Sequence, residues 1–124
     1  MKILVTGGLG YIGSHTVVAL SEAGYEVVIV DNLSNTRIEV LDGIESIIGN
    51  RPSFYELDLR NESQVIELFA KEPTIEGVIH FAASKAVGES VENPLLYYEN
   101  NLSGFIYLLK QLSQKRKSHL IFSS

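Results

Sequence analysis

A chain of 124 residues, 45% of them hydrophobic, is enough for one globular unit with a buried core and short for a complete two-domain enzyme. Its 10 basic and 15 acidic side chains give a net charge of −5, which excludes an electrostatic footprint for nucleic acid; the one basic run, Lys115-Arg116-Lys117, suits the negative end of a helix dipole. Without cysteine there are no disulfides or thiolate metal sites. The opening apolar stretch Ile3-Leu4-Val5 is too short to span a bilayer, and glycines break it before it reads as a signal peptide, so a cytoplasmic enzyme or binding domain with no membrane partner is expected.

Short apolar runs alternate with segments of helical period, as in a parallel sheet wound with helices. Lys2 to Thr6 reads as the first strand, followed by a glycine-rich turn and a helix from Tyr11 to Ala23 that Gly24 closes. The β-branched run Glu26 to Val30 is a buried strand, Asp31 to Thr36 a polar loop, and Arg37 to Ile48 a helix stopped by Gly49-Asn50. Ser53 to Leu57 is the third strand. Asn61 caps a helix running to Lys71, with Val65, Ile66, Leu68 and Phe69 expected to face inward. Gly77 to Phe81 is the fourth strand, Asn93-Pro94 opens a long helix to Lys115, and His119 to Phe122 is the fifth strand. With right-handed crossovers this alternation predicts an α/β fold: a Rossmann-like, doubly wound parallel sheet of five strands ordered 3-2-1-4-5.

The turn Thr6-Gly7-Gly8-Leu9-Gly10-Tyr11-Ile12-Gly13 sits between a strand and a helix, where a nucleotide-binding loop belongs. Gly7 suits the tight turn, Gly10 lets a pyrophosphate approach the backbone, and Gly13 lets the helix pack closely on the sheet. Amides at the helix start then face the phosphates. A glycine turn by itself is also an ordinary strand–helix connection. Asp31, at the end of the second strand, decides between the two, because a carboxylate there accepts hydrogen bonds from an adenosine ribose. Its charge also disfavours a 2′-phosphate, so NAD is expected rather than NADP; Arg37 either offsets that repulsion in part or is a solvated helix start. His15, His80 and His119 have no second ligand at metal spacing and read as structural.

The segments Val5-Thr6-Gly7-Gly8, Gly10 to Thr16, Asp31 to Asn35 and Val78 to Ala83 resemble the extended short-chain dehydrogenase/reductase family. Lys85 to Val91, with Pro94, Tyr97-Tyr98 and Asn100-Asn101, narrows the resemblance to its UDP-glucose 4-epimerase branch. The resemblance implies an NAD-dependent isomerase of nucleotide sugars in galactose metabolism, a UDP-hexose substrate and a homodimer, in which the Pro94–Lys115 helix takes part, with Tyr98, Leu102 and Leu109 as candidate contacts. It also implies that Tyr11 and Ile12 join the pyrophosphate loop, that Asp31, Asn32, Leu33, Ser34, Asn35 and Thr36 surround the adenosine ribose, and that Asp58 and Leu59 flank the adenine. Phe81, Ala82, Ala83, Ser84 and Lys85 would line the cofactor behind the fourth strand, with Asn100 and Ser123 near the nicotinamide half. From the residues themselves, Asp58 is equally a turn acid before a helix, and Asn100 equally a satisfied core asparagine.

In the family pattern a tyrosine general base has its pKa lowered by a lysine one helical turn later. None of the 6 tyrosines has a lysine four residues on: Tyr11 is followed by His15, Tyr25 by Ile29, Tyr55 by Leu59, Tyr97 by Asn101, Tyr98 by Leu102 and Tyr107 by Gln111. No catalytic residue is therefore assigned in this sequence. Ending flush with a strand, residues 1–124 are expected to be the N-terminal part of a dinucleotide-binding domain, with the base and the sugar-binding domain to follow. A dehydratase or decarboxylase of the same fold, or a non-catalytic dinucleotide-binding module, are the alternatives.

Overall fold

A computed structural model describes residues 1–34, 36–81, 94–115 and 118–122, with only the backbone of 94–102 and 122. The elements follow in the expected alternation: β1 Lys2–Thr6, α1 Tyr11–Glu22, β2 Glu26–Asp31, α2 Glu39–Ile48, β3 Ser53–Glu56, α3 Glu62–Lys71, β4 Ile75–His80, α4 Pro94–Ser113 and β5 His119–Phe122. All strand pairs are parallel and the order is β3-β2-β1-β4-β5, as the alternation predicts. The register sets Leu4 between Val28 and Val78, and Val5 between Ile29 and Ile79.

Alternation along β1 sends successive side chains to opposite faces, and each face has its own core. Ile3 and Val5 pack with Val27, Ile29, Val17 of α1 and Leu41 and Ile44 of α2. Leu4 packs with Val28, Val30, Val78, Val65, Leu68 and Phe69 of α3, and Leu108 and Leu112 of α4. Burying a side chain such as Leu108 contributes about 1.5–3 kcal/mol. Helices thus cover both faces. The direction of winding reverses between β1 and β4, the place where open α/β sheets bind ligands.

The boundaries differ from the sequence reading in ways that have local causes. α2 begins at Glu39 rather than Arg37, because Val40 N–H bonds the Arg37 carbonyl and Leu41 N–H the Ile38 carbonyl, a tighter turn that precedes the helix proper. Ile66 is 48% exposed and not inward-facing; Val65, Leu68 and Phe69 fill the buried stripe of α3, and the fourth apolar position falls outside it. β3 ends at Glu56, one residue early; β4 starts at Ile75 and ends at His80. Asn61 caps α3 as expected, its side chain accepting from Gln64 N–H at 3.3 Å. α4 ends at Ser113, and Lys115 beyond it donates to the Pro73 carbonyl at 2.9 Å.

Candidate dinucleotide-binding site

Three segments meet at the carboxyl end of the sheet: the loop from β1 to α1, the loop after β2 and the end of β4. The first is shaped by glycine. Gly7 has φ +67°, its amide bonds the Val30 carbonyl at 2.7 Å, and Gly10 N–H bonds back to the Gly7 carbonyl at 3.1 Å. A Cβ on Gly13 would overlap that Gly7 carbonyl oxygen and lie 2.9 Å from its carbon, so the first turn of α1 folds directly onto the loop. Close packing on the sheet, assigned to Gly13 from its spacing, belongs to Gly8, whose Cβ would lie 2.6 Å from Ile29.

Gly10 is the N-cap of α1 and accepts from Ser14 N–H at 2.8 Å, the first intrahelical bond. Helix geometry leaves the amides of Tyr11, Ile12 and Gly13 ahead of it, and no acidic residue occupies this first turn. The helix start therefore carries donors and positive potential with nothing of opposite effect in the turn itself. Tyr11 and Ile12 are 82% and 58% exposed, large apolar side chains standing open beside those amides.

Asp31 closes the second segment onto the first. It is 5% exposed, and its carboxylate accepts from Leu9 N–H at 3.2 Å, Leu33 N–H at 2.9 Å and the Thr36 hydroxyl at 2.8 Å. Leu33 is the one non-glycine among the described residues with positive φ, +61°, and its side chain packs on the core beside α1 and α2. Asn32 accepts from the amide and hydroxyl of Ser34.

At the end of β4, the Thr6 hydroxyl lies 2.7 Å from His80 Nδ1 and accepts from Phe81 N–H at 3.0 Å; the same amide reaches the Thr6 carbonyl at 3.1 Å. His80 is 1% exposed and near the Phe105 ring of α4; burial lowers its pKa to about 4, so it is neutral at ordinary pH. The strand end leading to Phe81 is thereby tied to the strand end leading to Gly7.

The sequence-predicted residues divide accordingly. Gly7, Gly10, Gly13, Tyr11, Ile12, Asp31, Asn32, Leu33, Ser34, Thr36 and Phe81 come together at this end of the sheet. Asp58 accepts a forked pair from Arg60 at 2.6–3.0 Å, and that hydrogen bonding holds its carboxyl below the usual carboxylate range. Leu59 is a core residue against Gly104 of α4, so its side chain is turned away from solvent. Asn100 lies within α4, but its side chain, like Asn35, Ala82, Ala83, Ser84, Lys85 and Ser123, is outside the described residues. Thr6, Gly8, Leu9 and His80 were not assigned site roles from sequence; the only local signal was polar Thr6 and His80 ending apolar strands. Of the other histidines, His15 bonds the Tyr11 carbonyl at 2.7 Å and His119 is exposed on β5. No cluster of metal-ligating side chains occurs among the described residues.

The family model described as GDP-mannose 4,6 dehydratase matches residues 4–124. A UDP-glucose 4-epimerase of Klebsiella pneumoniae is 50% identical over 124 residues, a match covering 100% of this chain and 88% of that protein. The chain belongs to this family, among its UDP-glucose 4-epimerases. The epimerase of Dictyostelium discoideum is 51% identical over 99% of this chain and 36% of its own length. The crystal structure of UDP-glucose 4-epimerase from Bifidobacterium longum, in complex with NAD+ and UDP, superposes with a TM-score of 0.91 at 44% identity, over 100% of this chain and 37% of that one. The chain spans about a third of the length of most of the curated relatives it matches, 36% in the Dictyostelium protein. No helix among the described residues is long and apolar enough to cross a membrane.

Proposed function

We propose that this chain is the NAD-binding portion of an epimerase that interconverts UDP-glucose and UDP-galactose through a 4-keto sugar, within galactose metabolism. The observation that carries the reading is the joint between two loops: a helix start with open amides, and beside it a buried carboxylate with accepting capacity left. An NAD pyrophosphate fits the first and an adenosine ribose the second. The amides of Tyr11, Ile12 and Gly13 bind phosphate oxygens, Asp31 accepts from the ribose, and the exposed Tyr11 and Ile12 side chains shield the phosphates from water. Asp31 also repels a 2′-phosphate, which favours NAD over NADP. When bound, NAD supplies the hydride acceptor and donor for carbon 4 of the hexose. The epimerases seen with NAD+ and UDP support the same cofactor and a UDP-hexose substrate.

The Tyr-x-x-x-Lys pair of the family is absent from these 124 residues, so this stretch holds the cofactor and performs no epimerisation by itself. In the full-length protein we place the activity in the cytoplasm, in a homodimer formed partly by α4, whose Ile106 and Leu109 are 46% and 40% exposed. The test is conversion of UDP-galactose by the full-length protein alongside residues 1–124, with NAD binding measured on both. Epimerisation by the full-length protein and none by the shorter chain is expected. A full-length protein that binds NAD but leaves UDP-hexoses unchanged would sink the epimerase reading.

A further inference from the structure

Thr36 has a more specific part in this site than membership of the ribose loop. Asp31 has four acceptor positions on its two carboxylate oxygens. Oδ1 takes the Leu33 amide and the Thr36 hydroxyl, and Oδ2 takes the Leu9 amide. One position remains, on Oδ2, the oxygen nearer the glycine loop. A carboxylate only accepts, so the single hydroxyl proton of Thr36 is committed to Asp31 and is not available to a ligand.

We infer that Thr36 is a positioning residue: together with the Leu9 and Leu33 amides it fixes the rotation of the Asp31 carboxylate, so that the remaining acceptor position faces the adenosine ribose. The restraint spans two loops, since Leu9 lies 22 residues before Asp31 and Thr36 5 after it. It also explains the left-handed Leu33, a conformation leucine adopts only where surroundings impose it: Leu33 turns its amide toward Oδ1 and its side chain onto the core. Without the Thr36 hydroxyl, each carboxylate oxygen keeps a single amide donor, and the rotation about the Cβ–Cγ bond is less tightly restrained.

The inference rests on the NAD reading above, and the experiment separates the two. In the full-length protein freed of nucleotide, NAD binding is measured by calorimetry beside an NAD analogue whose adenosine ribose lacks its 2′ and 3′ hydroxyls. Thr36→Val, nearly the same shape, is expected to weaken NAD binding about tenfold, the scale of one hydrogen bond to a charged group, and to leave the analogue's affinity unchanged. Thr36→Ser is expected to restore NAD binding. Equal weakening of both ligands would mean a merely structural role, and no weakening of either would also overturn the inference. Failure of the unsubstituted protein to bind NAD would overturn the proposed function, and this inference with it.

Discussion

The two ends of the same sheet use polar groups in opposite ways. Around Lys2, at the start of β1, polar atoms are satisfied by one another: Lys2 Nζ is 2.8 Å from Glu72 and 3.3 Å from Glu26, and the Tyr55 hydroxyl donates to Glu72 at 2.6 Å. The Lys2–Glu72 hydrogen bond raises the pKa of Lys2 and lowers that of Glu72, while the hydrogen bond to Glu72 raises that of Tyr55. At the carboxyl end, Asp31 ties loops together yet keeps an acceptor position, and the first turn of α1 keeps its amides. A closed network contributes stability; an incompletely closed one contributes a binding site. In the shallow concavity near the amino end, whose lining includes Tyr25, Ile48, Arg51 and Ser53, Arg51 is engaged by Asp42 and Glu45.

The sharpest way to break the comparison is at the carboxyl end. Gly13→Ala places a methyl group into the Gly7 carbonyl, so the loop must move and the amides of Tyr11 and Ile12 with it. A loss of NAD affinity on the order of a hundredfold or more is expected in a binding titration, since several phosphate contacts are displaced together.

A smaller effect comes from His80, on the same end but internal to the fold. Its pKa is lowered by burial from 6.5 to about 4, so between those values the unfolded chain binds the proton and the folded one does not. Stability is therefore full above pH 6.5 and falls as pH drops toward 4, by on the order of 3 kcal/mol. Denaturant unfolding across that window measures it, and a His80→Asn variant should lose the slope.

The smallest effect lies at the amino end. Glu72→Gln should cost about 1–2 kcal/mol of unfolding free energy, the value of weakened hydrogen bonds to a charged partner, with NAD affinity unchanged. Because the Lys2 and Tyr55 contacts depress its pKa, Glu72's contribution is present above 4.5 and is lost as pH falls through the lowered folded value. A change in NAD affinity on this substitution would show that the two ends are not independent.

Legibility in the sequence followed the range of the interactions. The elements, the parallel order and the helix cap at Asn61 rest on periodicity and on neighbours a few residues apart, and they stand close to where the sequence puts them. So do Gly7, Gly10 and Asp31, because strand, tight turn and helix start impose their residue types locally. Ile66 and Leu59 were less legible: a run of apolar residues does not say which one misses the buried stripe, and a loop leucine does not say that Gly104 makes room for it in the core.

The sequence by itself thus determined that this is a wound parallel sheet with a glycine loop and an acid at the end of β2. Only the tertiary structure decided what holds those parts in place: Thr6 against His80, 74 residues apart, and Leu9 and Thr36 on the two oxygens of Asp31. The reason is physical. Local geometry selects residue types for turns and strands, whereas the partner of a buried hydrogen-bonding group is chosen by whichever distant segment the packed sheet brings within 3 Å or so.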